Sequence, residues 1–342
     1  MKKFRRPQDI KVGAIGYGGA FNMGKAHLGE MQKAGMTPTA VAEIDKSRLE
    51  VARGDFPGIE TYTSVAEMLK KSDVHLLAII TPHNTHASLA IQCLNAGRHV
   101  VCEKPLAITT AECDAMIAAA RRNKVVLSTY HNRHWDGHIL EAMKHIRKGE
   151  IGKVVRVDVE MSGWHKPGDW WRSSKTISGG LLYDWGVHLL EYTLQIVNSD
   201  IEEVSGYLWS GIWAPHTKWK NDTNEDDGLV VVRYKSGAWS TLRMSNVESR
   251  PGTFFKVTGT KGTYVMNWDA GEVITHEDGK TITVRYPNPP GEGWRLYQNI
   301  CDHLVKGTPL VITPEWSRRP IHILDLACQS AKRGKAMRAK YK

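Results

Sequence analysis

Three polar residues in two separate segments have side chains suited to acid–base chemistry. Lys104 lies in "AGRHVVCEKP", while Asp184 and His188 lie four residues apart in "SGGLLYDWGVHLLE". Because the ordinary pKa of histidine is near neutrality, His188 could accept a hydroxyl proton while hydride leaves the same carbon. Asp184 could orient or polarise the site, and the Lys104 ammonium could stabilise negative charge on the reacting oxygen. Each residue also has an ordinary alternative role: His188 as a hydrogen-bonded core histidine, Asp184 as a helix N-cap and Lys104 as a solvated surface charge.

A glycine-rich segment near the start, "KVGAIGYGGAFNMGKAH", has the spacing of a phosphate-binding turn. Gly16 and Gly18 open the pattern G-x-G-x-x-G, in which the first glycine permits a tight turn and the second lets the backbone approach a pyrophosphate. Phe21 stands where the third glycine belongs and Gly24 follows three residues later, so we expect a lengthened loop before the helix. Alone the motif is weak, since a glycine-rich turn without a ligand looks similar.

An acidic residue supports the nucleotide interpretation. The second strand-like run ends in "VAEID", which places Glu43 where dinucleotide sites carry a carboxylate. A carboxylate there accepts hydrogen bonds from ribose hydroxyls and repels a 2′-phosphate, which favours NAD over NADP. The alternative is that Glu43 or Asp45 only caps the following helix.

The secondary-structure elements that must position these residues follow two different sequence patterns in the two parts of the chain. The first 130 residues alternate apolar strand-like runs with segments of helical periodicity, which is typical of a doubly wound parallel sheet. The runs are Val12–Ile15, Thr39–Ile44, Val74–Ile80, His99–Cys102 and Val125–Tyr130.

After Gly152 the pattern changes to successive strands with tight glycine-containing turns. Seven segments have this character: "KVVRVDVEMSG", "IEEVSGYLWSG", "GLVVVRY", "GAWSTLRMS", "TFFKVTGT", "GTYVMNW" and "GKTITVRY". They predict a second domain with a large, open and mostly antiparallel sheet. An open face carrying Trp209, Trp239 or Phe255 needs a cover, so we expect a homo-oligomer, a dimer or tetramer, formed through this sheet.

Three ordered motifs resemble those of one enzyme family over nearly the whole chain. They are T-P-x-x-x-H at Thr81, Pro82 and His86, the segment ending in Glu103, Lys104 and Pro105, and "SGGLLYDWGVHLLE". Together they closely resemble the Gfo/Idh/MocA oxidoreductases, the family of glucose-fructose oxidoreductase and inositol dehydrogenase. The resemblance implies an α/β chain with an NAD(P)-binding Rossmann domain at 1–130 and a substrate-binding and oligomerisation domain at 131–342. It also implies catalytic roles for Lys104, Asp184 and His188.

Two sets of residues are candidates for ligand contacts. A tryptophan-rich tract, "SGWHKPGDWWRSSKTISGG", precedes the catalytic segment; indole faces pack on sugar C–H groups and basic side chains donate to oxygens, although each tryptophan could equally belong to a core. The candidate substrate contacts are Lys104, Arg133, Trp164, His165, Trp171, Arg172, Asp184 and His188. The candidate cofactor contacts are Gly16, Gly18, Gly19, Ala20, Phe21, Asn22, Glu43, Arg48, Thr81, Pro82, Asn84, His86, Glu103 and Lys104.

Composition narrows the remaining classes of protein. The net charge of +10 is spread along the 342 residues, so we expect anionic cofactors or substrates and no nucleic acid. No apolar run is long enough for a signal peptide or membrane span, and five cysteines without a C-x-x-C pair predict reduced, mostly buried thiols in a cytoplasmic protein. His131, His134 and His138 have helical spacing for metal ligands, but no carboxylate pattern completes them, and we predict no metal.

The sequence therefore predicts an NAD(H)-linked oxidoreductase that transfers a hydride between nicotinamide and a ring carbon of a sugar, sugar derivative or cyclitol. One alternative is an NAD-dependent glycosidase of the same fold, which would oxidise C3 transiently, eliminate the aglycone and recover its NADH. Another is a catalytically idle nucleotide-sensing or scaffolding protein. The presence of Lys104, Asp184 and His188 argues against the idle protein.

Overall fold

The computed structural model describes residues 4–341. Their contacts group them into two units: the first runs to His131 and includes Trp294–Arg318, and the second comprises Asn132–Gly293 and the residues from Arg319 onward. This grouping differs from the predicted boundary at 130/131 in assigning Trp294–Arg318 to the first unit. No helix of the described part of the chain combines the length and apolar character that crossing a membrane requires.

The first unit contains a six-stranded sheet whose paired strands are all parallel, in the order β3-β2-β1-β4-β5-β6. The predicted doubly wound sheet is confirmed. Its central strands form because their apolar runs are continuous, and every residue of β4 and β5 is buried. The strands are β1 Lys11–Ile15, β2 Thr37–Ala42, β3 Glu60–Tyr62, β4 Leu76–Ile79, β5 His99–Cys102 and β6 Leu127–Thr129.

Five helices connect these strands, and local signals set their ends. The Asp45 carboxylate accepts a hydrogen bond from the Ser47 amide and caps the second helix, whereas Thr109 and Glu112 form a capping box at the fifth. The helices are α1 Met23–Lys33, α2 Lys46–Asp55, α3 Val65–Lys71, α4 His86–Asn95 and α5 Thr110–Asn123.

The second unit contains a nine-stranded sheet in the order β14-β13-β12-β11-β7-β10-β9-β8-β15. Among the strand pairs of the described residues in this sheet, only β7 with β10 is parallel, so the predicted mostly antiparallel sheet is confirmed. The strands are β7 Val154–Ser162, β8 Ile201–Trp209, β9 Asp227–Tyr234, β10 Trp239–Ser245, β11 Phe255–Gly259, β12 Gly262–Met266, β13 Ala270–Glu277, β14 Lys280–Pro287 and β15 Met337–Arg338.

The remaining helices are α6 Gly137–Arg147, α7 Lys175–Ser178, α8 Gly186–Val197, α9 Arg295–Lys306 and α10 Pro314–Arg333. One face of the second sheet packs against α6 and α8. Phe255 is fully buried, and its β11 neighbour Val257 is buried as well, so the expectation that Phe255 lies on the open face is wrong. Trp209 is half exposed, and Trp239 alternates with the buried Ser240 and Leu242, so both lie on the other face.

Candidate active site

The predicted nucleotide motifs meet at one edge of the first sheet. Gly16 follows β1, Glu43 follows β2, Thr81 lies two residues beyond β4 and Glu103 follows β5. These four strands are neighbours and parallel, so the residues after them share the carboxyl edge of the sheet. The strands that precede and follow in the sheet order, β2 and β4, lie on opposite sides of β1. The chain order reverses at this point, and such a switch point is where doubly wound sheets bind ligands.

The glycine-rich turn is held by the residues that follow β2. Glu43 Oε2 accepts a hydrogen bond from the Tyr17 amide at 2.6 Å, while Arg48 Nε donates to the Tyr17 carbonyl at 2.9 Å. The backbone N–H and C=O groups of Tyr17, between Gly16 and Gly18, are therefore both held by hydrogen bonds. Glu43 itself does not cap α2, since its other oxygen accepts from the Asp45 amide.

The glycines of this turn have different reasons for lacking a side chain. Gly16 has φ of +94°, and a Cβ there would lie 2.1 Å from the Ile80 carbonyl oxygen. A Cβ on Gly18 would have no atom within 4 Å, so its surroundings are open. A Cβ on Gly24 would lie 2.5 Å from the Tyr17 ring, so this glycine supplies the close packing of helix and turn that the third glycine of the motif usually provides.

The rest of the lengthened loop is open to solvent. Residues 18–22 are all exposed, with the Phe21 side chain 57% exposed, and α1 begins at Met23 as a longer loop requires. Asn22 adopts a left-handed conformation and accepts a hydrogen bond from Arg48 Nη2 at 3.3 Å. A side chain on Gly19 would also meet Arg48. Asn84 lies exposed in the short turn that precedes α4.

His86 joins the second and third predicted cofactor segments. It is fully buried, and its two ring nitrogens lie 2.8 Å from the Pro105 carbonyl and 2.9 Å from the Thr81 carbonyl. Burial lowers the pKa of His86 below its ordinary value. The His86 ring therefore positions the backbone at Thr81 and Pro105. Pro82 follows Thr81 in the same turn.

A buried polar network lies next to Lys104. The side chain of His27 is fully buried, with Nδ1 hydrogen-bonded to the Tyr297 hydroxyl and Nε2 lying 3.1 Å from Glu103 Oε1. The other oxygen of Glu103 accepts from the Lys104 amide at 2.9 Å. Although burial opposes the charged form, the hydrogen bond from His27 and the charge of Lys104 hold the pKa of Glu103 below its ordinary value.

In the second unit, the predicted catalytic residues have distinct local environments. Asp184 lies in a turn two residues before α8, whereas His188 lies in the first turn of α8 and is buried. Arg172 Nη1 donates to Asp184 Oδ1. The His188 ring packs 5.5 Å from the ring of Trp185, which sequence reasoning had not selected.

Arg133 reaches the same group of residues from the start of the second unit. Its guanidinium lies 4.8 Å from the centre of the Trp185 ring, and its Nη1 donates to Asp136 Oδ2 at 2.8 Å. The Tyr192 hydroxyl donates to the same oxygen at 2.8 Å. Arg133, Trp185 and His188 therefore form a continuous set of contacts.

The tryptophan-rich tract meets a second loop that sequence reasoning did not select. Arg172 lies over Trp170 and Trp171, at 5.3 and 5.1 Å from the ring centres, and Trp164 packs edge-on against Trp213 at 5.9 Å. His165 is exposed and its amide donates to the Asn246 carbonyl. Trp213 lies after the end of β8, more than forty residues along the chain from Trp164, so no local pattern indicated the contact between the two rings.

The alternative metal site receives no support from the three histidines. His134 Nδ1 is bonded to Glu191 Oε1, whereas His138 lies in α6 and packs edge-on against Tyr192 and Trp268. His131 belongs to the first unit. Within residues 4–341, no group of three or more His, Cys, Asp or Glu side chains is arranged to hold a metal ion.

The predicted burial of most cysteines is confirmed. Cys93, Cys102, Cys113 and Cys301 are buried and Cys328 is partly buried, and the described residues form no disulfide. Burial raises the pKa of the Cys93 thiol to about 12, so this thiol stays protonated at neutral pH.

Two family models match most of the chain. Residues 10–131 match an oxidoreductase family with an NAD-binding Rossmann fold, and residues 139–265 match the GFO/IDH/MocA C-terminal domain. The chain belongs to the Gfo/Idh/MocA oxidoreductase family. The predictions of the family, of an oxidoreductase and of NAD as its cofactor are therefore confirmed.

Relatives within the Gfo/Idh/MocA family span the chain. The scyllo-inositol 2-dehydrogenase (NADP(+)) of Bacillus subtilis is 24% identical over 97% of this chain and 96% of its own. The levoglucosan dehydrogenase of Pseudarthrobacter phenanthrenivorans is 26% identical over 84% and 83%. The solved structure of the oxidoreductase yvaA from Bacillus subtilis superposes with a TM-score of 0.86 at 22% identity, covering 98% of this chain and 100% of that one, which supports the fold.

The residues at the carboxyl edge fit the dinucleotide of a Gfo/Idh/MocA enzyme. The open space beside Gly18 and the exposed loop 18–22 would admit a pyrophosphate, while the Tyr17 backbone stays fixed by Glu43 and Arg48. NAD would therefore be held by the glycine-rich turn, by Glu43 and by the residues that follow β4 and β5.

Proposed function

We propose that this chain is an NAD(H)-dependent dehydrogenase or reductase that transfers a hydride between nicotinamide and a ring carbon of a sugar, sugar derivative or cyclitol. The observation that carries the proposal is the catalytic segment of the second unit, where the buried His188 lies in the first turn of α8 and Asp184, two residues before that helix, accepts a hydrogen bond from Arg172. The resemblance to the family implies a catalytic role for Lys104 as well, which lies two residues after β5 of the NAD-binding unit.

Each side chain has one task in the proposed reaction. Bound NAD supplies a hydride acceptor at C4 of its nicotinamide ring. His188 accepts the hydroxyl proton, and the adjacent Trp185 ring limits the access of water to it. Lys104 stabilises negative charge on the reacting oxygen, and its backbone is held by Glu103. Asp184 accepts hydrogen bonds from substrate hydroxyls in an orientation that Arg172 fixes.

We further propose that the enzyme prefers NAD(H) to NADP(H). Glu43 is held beside the turn by the Tyr17 amide, so its negative charge would oppose a 2′-phosphate at the adenosine ribose. The B. subtilis relative is named for NADP(+), so the preference must be measured for this chain. Dissociation constants for NADH and NADPH test it, and tighter binding of NADPH would contradict it.

The open face of the second sheet supports a homo-oligomer, a dimer or tetramer. Tyr207 and Trp209 of β8 are 63% and 52% exposed, and Trp239 lies beneath the Arg156 guanidinium on the same face. A second copy would cover this apolar area. Sedimentation velocity measures the oligomeric state. We place the protein in the cytoplasm because buried, unbridged thiols suit a reducing compartment.

Two measurements test the proposed reaction. Mass spectrometry of the nucleotide that copurifies should find NAD or NADH, and a panel of sugars and inositols should include one that produces one NADH per substrate oxidised. Hydrolysis of a nitrophenyl glycoside at catalytic NAD, with no accumulation of NADH, would instead support the glycosidase. Absence of turnover on the whole panel by a protein that binds NAD would favour the idle alternative.

A further inference from the structure

Three polar side chains form a buried network that ends at the backbone of Lys104. Tyr297 lies in α9, His27 in α1 and Glu103 directly after β5, and we call these three residues the His27 network. All three belong to the first unit. The side chain of His27 and the whole of Tyr297 are enclosed, and the Glu103 side chain is 14% exposed. Polar groups in such places destabilise a protein unless they are paired.

The hydrogen bonds of the His27 network run in a fixed direction. Glu103 is charged at neutral pH because its pKa lies below its ordinary value, and a carboxylate only accepts hydrogen bonds. His27 Nε2 therefore carries a proton and donates to Glu103 Oε1 at 3.1 Å. In the neutral ring Nδ1 is the acceptor, and the Tyr297 hydroxyl donates to it. Glu103 Oε2 accepts from the Lys104 amide at 2.9 Å, so each contact orients the next.

The backbone around Lys104 is fixed on both sides by buried histidines. On one side, His27 orients the Glu103 carboxylate that accepts from the Lys104 amide. On the other side, His86 Nδ1 lies 2.8 Å from the Pro105 carbonyl. The position from which the Lys104 side chain extends is therefore set by α1 and α4, the helices that carry the two histidines.

The helix that carries His27 also follows the glycine-rich turn. α1 begins at Met23, directly after loop 18–22, and His27 lies about one turn further along the helix. Gly24 packs so closely on the Tyr17 ring that a Cβ there would lie 2.5 Å from it. One helix thus positions both the turn proposed to hold the pyrophosphate and the segment proposed to hold the reacting oxygen. A misplacement of about 1 Å can cost a catalytic group a hundredfold in rate, so such a shared support has a use.

Stability alone does not require polar side chains at this place. Leu28 and Met31 of α1 are fully buried, so the interior beside this helix accepts apolar residues. A well-packed apolar set in place of a complete buried polar one is often as stable or more stable. The His27 network instead ends on the amide of Lys104, which is a proposed catalytic residue. A task at Lys104 explains this arrangement, whereas packing does not.

We infer that His27 is a positioning residue for Lys104 that acts through the Glu103 carboxylate, and that Tyr297 supports it by fixing which nitrogen of the His27 ring carries the proton. This inference rests on the proposed function, in which the Lys104 ammonium stabilises negative charge on the reacting oxygen. His27 restricts the backbone from which the Lys104 side chain extends, and the ammonium then meets the oxygen without further ordering.

Steady-state kinetics with NAD and the best sugar of the panel provide the test. His27→Leu should lower kcat about ten- to hundredfold and change KM for the sugar less than about threefold. His27→Gln, whose amide nitrogen can still donate to Glu103, should retain most of kcat. Tyr297→Phe removes only a hydroxyl and should lower kcat severalfold, which keeps the test decisive if His27→Leu does not fold. Titration with NADH counts the binding sites, and kcat is expressed per site so that unfolded protein does not contribute.

His99→Leu is the matched control. His99 is buried at the start of β5, the strand that ends just before Glu103, and its Nδ1 accepts from the Val126 amide at 2.9 Å. This variant also removes a hydrogen bond of a buried histidine, but at the opposite edge of the sheet, so kcat per site should stay at the wild-type value. Equal losses of kcat for His99→Leu and His27→Leu would make His27 a structural residue and contradict the inference.

A double variant tests whether His27 acts through Lys104. In a Lys104→Met background, His27→Leu should change kcat less than about twofold, because the group that it positions is already absent. The full loss in both backgrounds would contradict the inference and leave the proposed function standing. A Lys104→Met enzyme with the wild-type kcat would overturn the proposed role of Lys104 and the inference with it. A wild-type protein that reduces NAD with no sugar of the panel would overturn the proposed function itself, and the inference would fall with it.

Discussion

The cofactor edge of the first unit and the tryptophan-rich tract of the second unit, which contains Trp164 and Trp170, differ in what holds their side chains in place. His27 is fully buried and is hydrogen-bonded to the buried Tyr297 hydroxyl and to the mostly buried Glu103, so its loss would leave polar groups unsatisfied in the interior. Trp164 and Trp170 lie in the loop that follows β7, and their side chains are 56% and 36% exposed. Residues of the first kind serve stability and function together, whereas those of the second kind can change with the substrate at little cost in stability.

The largest effect should come from the proposed base. His188→Asn should lower kcat by about 10² to 10⁴, the usual range for removing a general base, while the dissociation constant for NAD stays near the wild-type value. Lys104→Met should act similarly, and the double variant should be little worse than the more damaged single one. His276→Asn, an exposed histidine of β13, is the matched control. A folded His188→Asn enzyme with the wild-type rate would remove His188 from the mechanism.

The buried network should dominate stability. His27→Leu removes the hydrogen bonds that His27 makes to the Glu103 carboxylate and the Tyr297 hydroxyl, so the free energy of unfolding should fall by about 3 kcal/mol. Trp164→Ala, at a side chain that is 56% exposed, should change it by less than about 0.5 kcal/mol. Urea unfolding followed by circular dichroism measures both. Equal losses for the two variants would abolish the distinction between the two regions.

In the glycine-rich turn, Gly16 and Gly18 should differ in the same way, the first serving stability and the second serving NAD binding. Gly16→Ala should destabilise the protein by about 2 kcal/mol, because its φ is positive and the new methyl group would meet the Ile80 carbonyl. Gly18→Ala should leave stability within about 0.5 kcal/mol and weaken NAD binding about tenfold, since only a ligand approaches that position. Calorimetric titration with NAD gives the affinity. A Gly18→Ala protein that binds NAD normally would place the pyrophosphate elsewhere.

A smaller effect on the preference between NADPH and NADH should come from changing the charge beside Glu43 while the hydrogen bond between Glu43 and the Tyr17 amide is kept. Ile44 is 90% exposed beside Glu43, so Ile44→Arg adds a phosphate partner while Glu43 keeps its bond to Tyr17. NADPH should then bind about tenfold more tightly relative to NADH. Val51→Arg adds the same charge on α2 and serves as the control. Equal shifts for both variants would assign the effect to net charge alone.

The smallest effect concerns pH. The pKa of Glu103 is lowered in the folded protein, so its contribution to stability is present above its ordinary pKa of 4.5 and is lost as the pH falls through the lowered value. Glu103→Gln lacks this titration. The difference in unfolding free energy between wild type and Glu103→Gln should therefore be constant near neutrality and shrink below about pH 4.5. Urea unfolding at several pH values measures it; a difference that grows in acid would reverse the assigned sign.

Local sequence patterns predicted the parts of the fold that depend on local chemistry. The continuous apolar runs of β4 and β5 and the glycines of the turn carry their structural reasons in adjacent residues. The short edge strand β3, "ETY", has no apolar run to reveal it. The β13 segment "AGEVITHE" mixes glycine and charged residues, and it was not selected either.

Other features depend on contacts that no local pattern encodes. Phe254 and Phe255 are adjacent, and a shift of one residue in register decides which of them faces the core. Asp184 and His188 have helical spacing, yet α8 begins between them, at Gly186. His27 and Tyr297 are 270 residues apart, so nothing in either neighbourhood indicates their hydrogen bond.

That separation also matters when the chain is made. The first unit needs α9, because the Phe4 amide donates to the Leu304 carbonyl, Ser128 Oγ donates to the Ile312 carbonyl, and Tyr297 satisfies His27. A ribosome that has released residue 131 must translate the whole intervening segment before these partners exist, which takes on the order of ten to thirty seconds at ordinary elongation rates. During that interval the groups that later contact Tyr297, Leu304 and Ile312 stay exposed on the first unit, and such surface favours association with other chains.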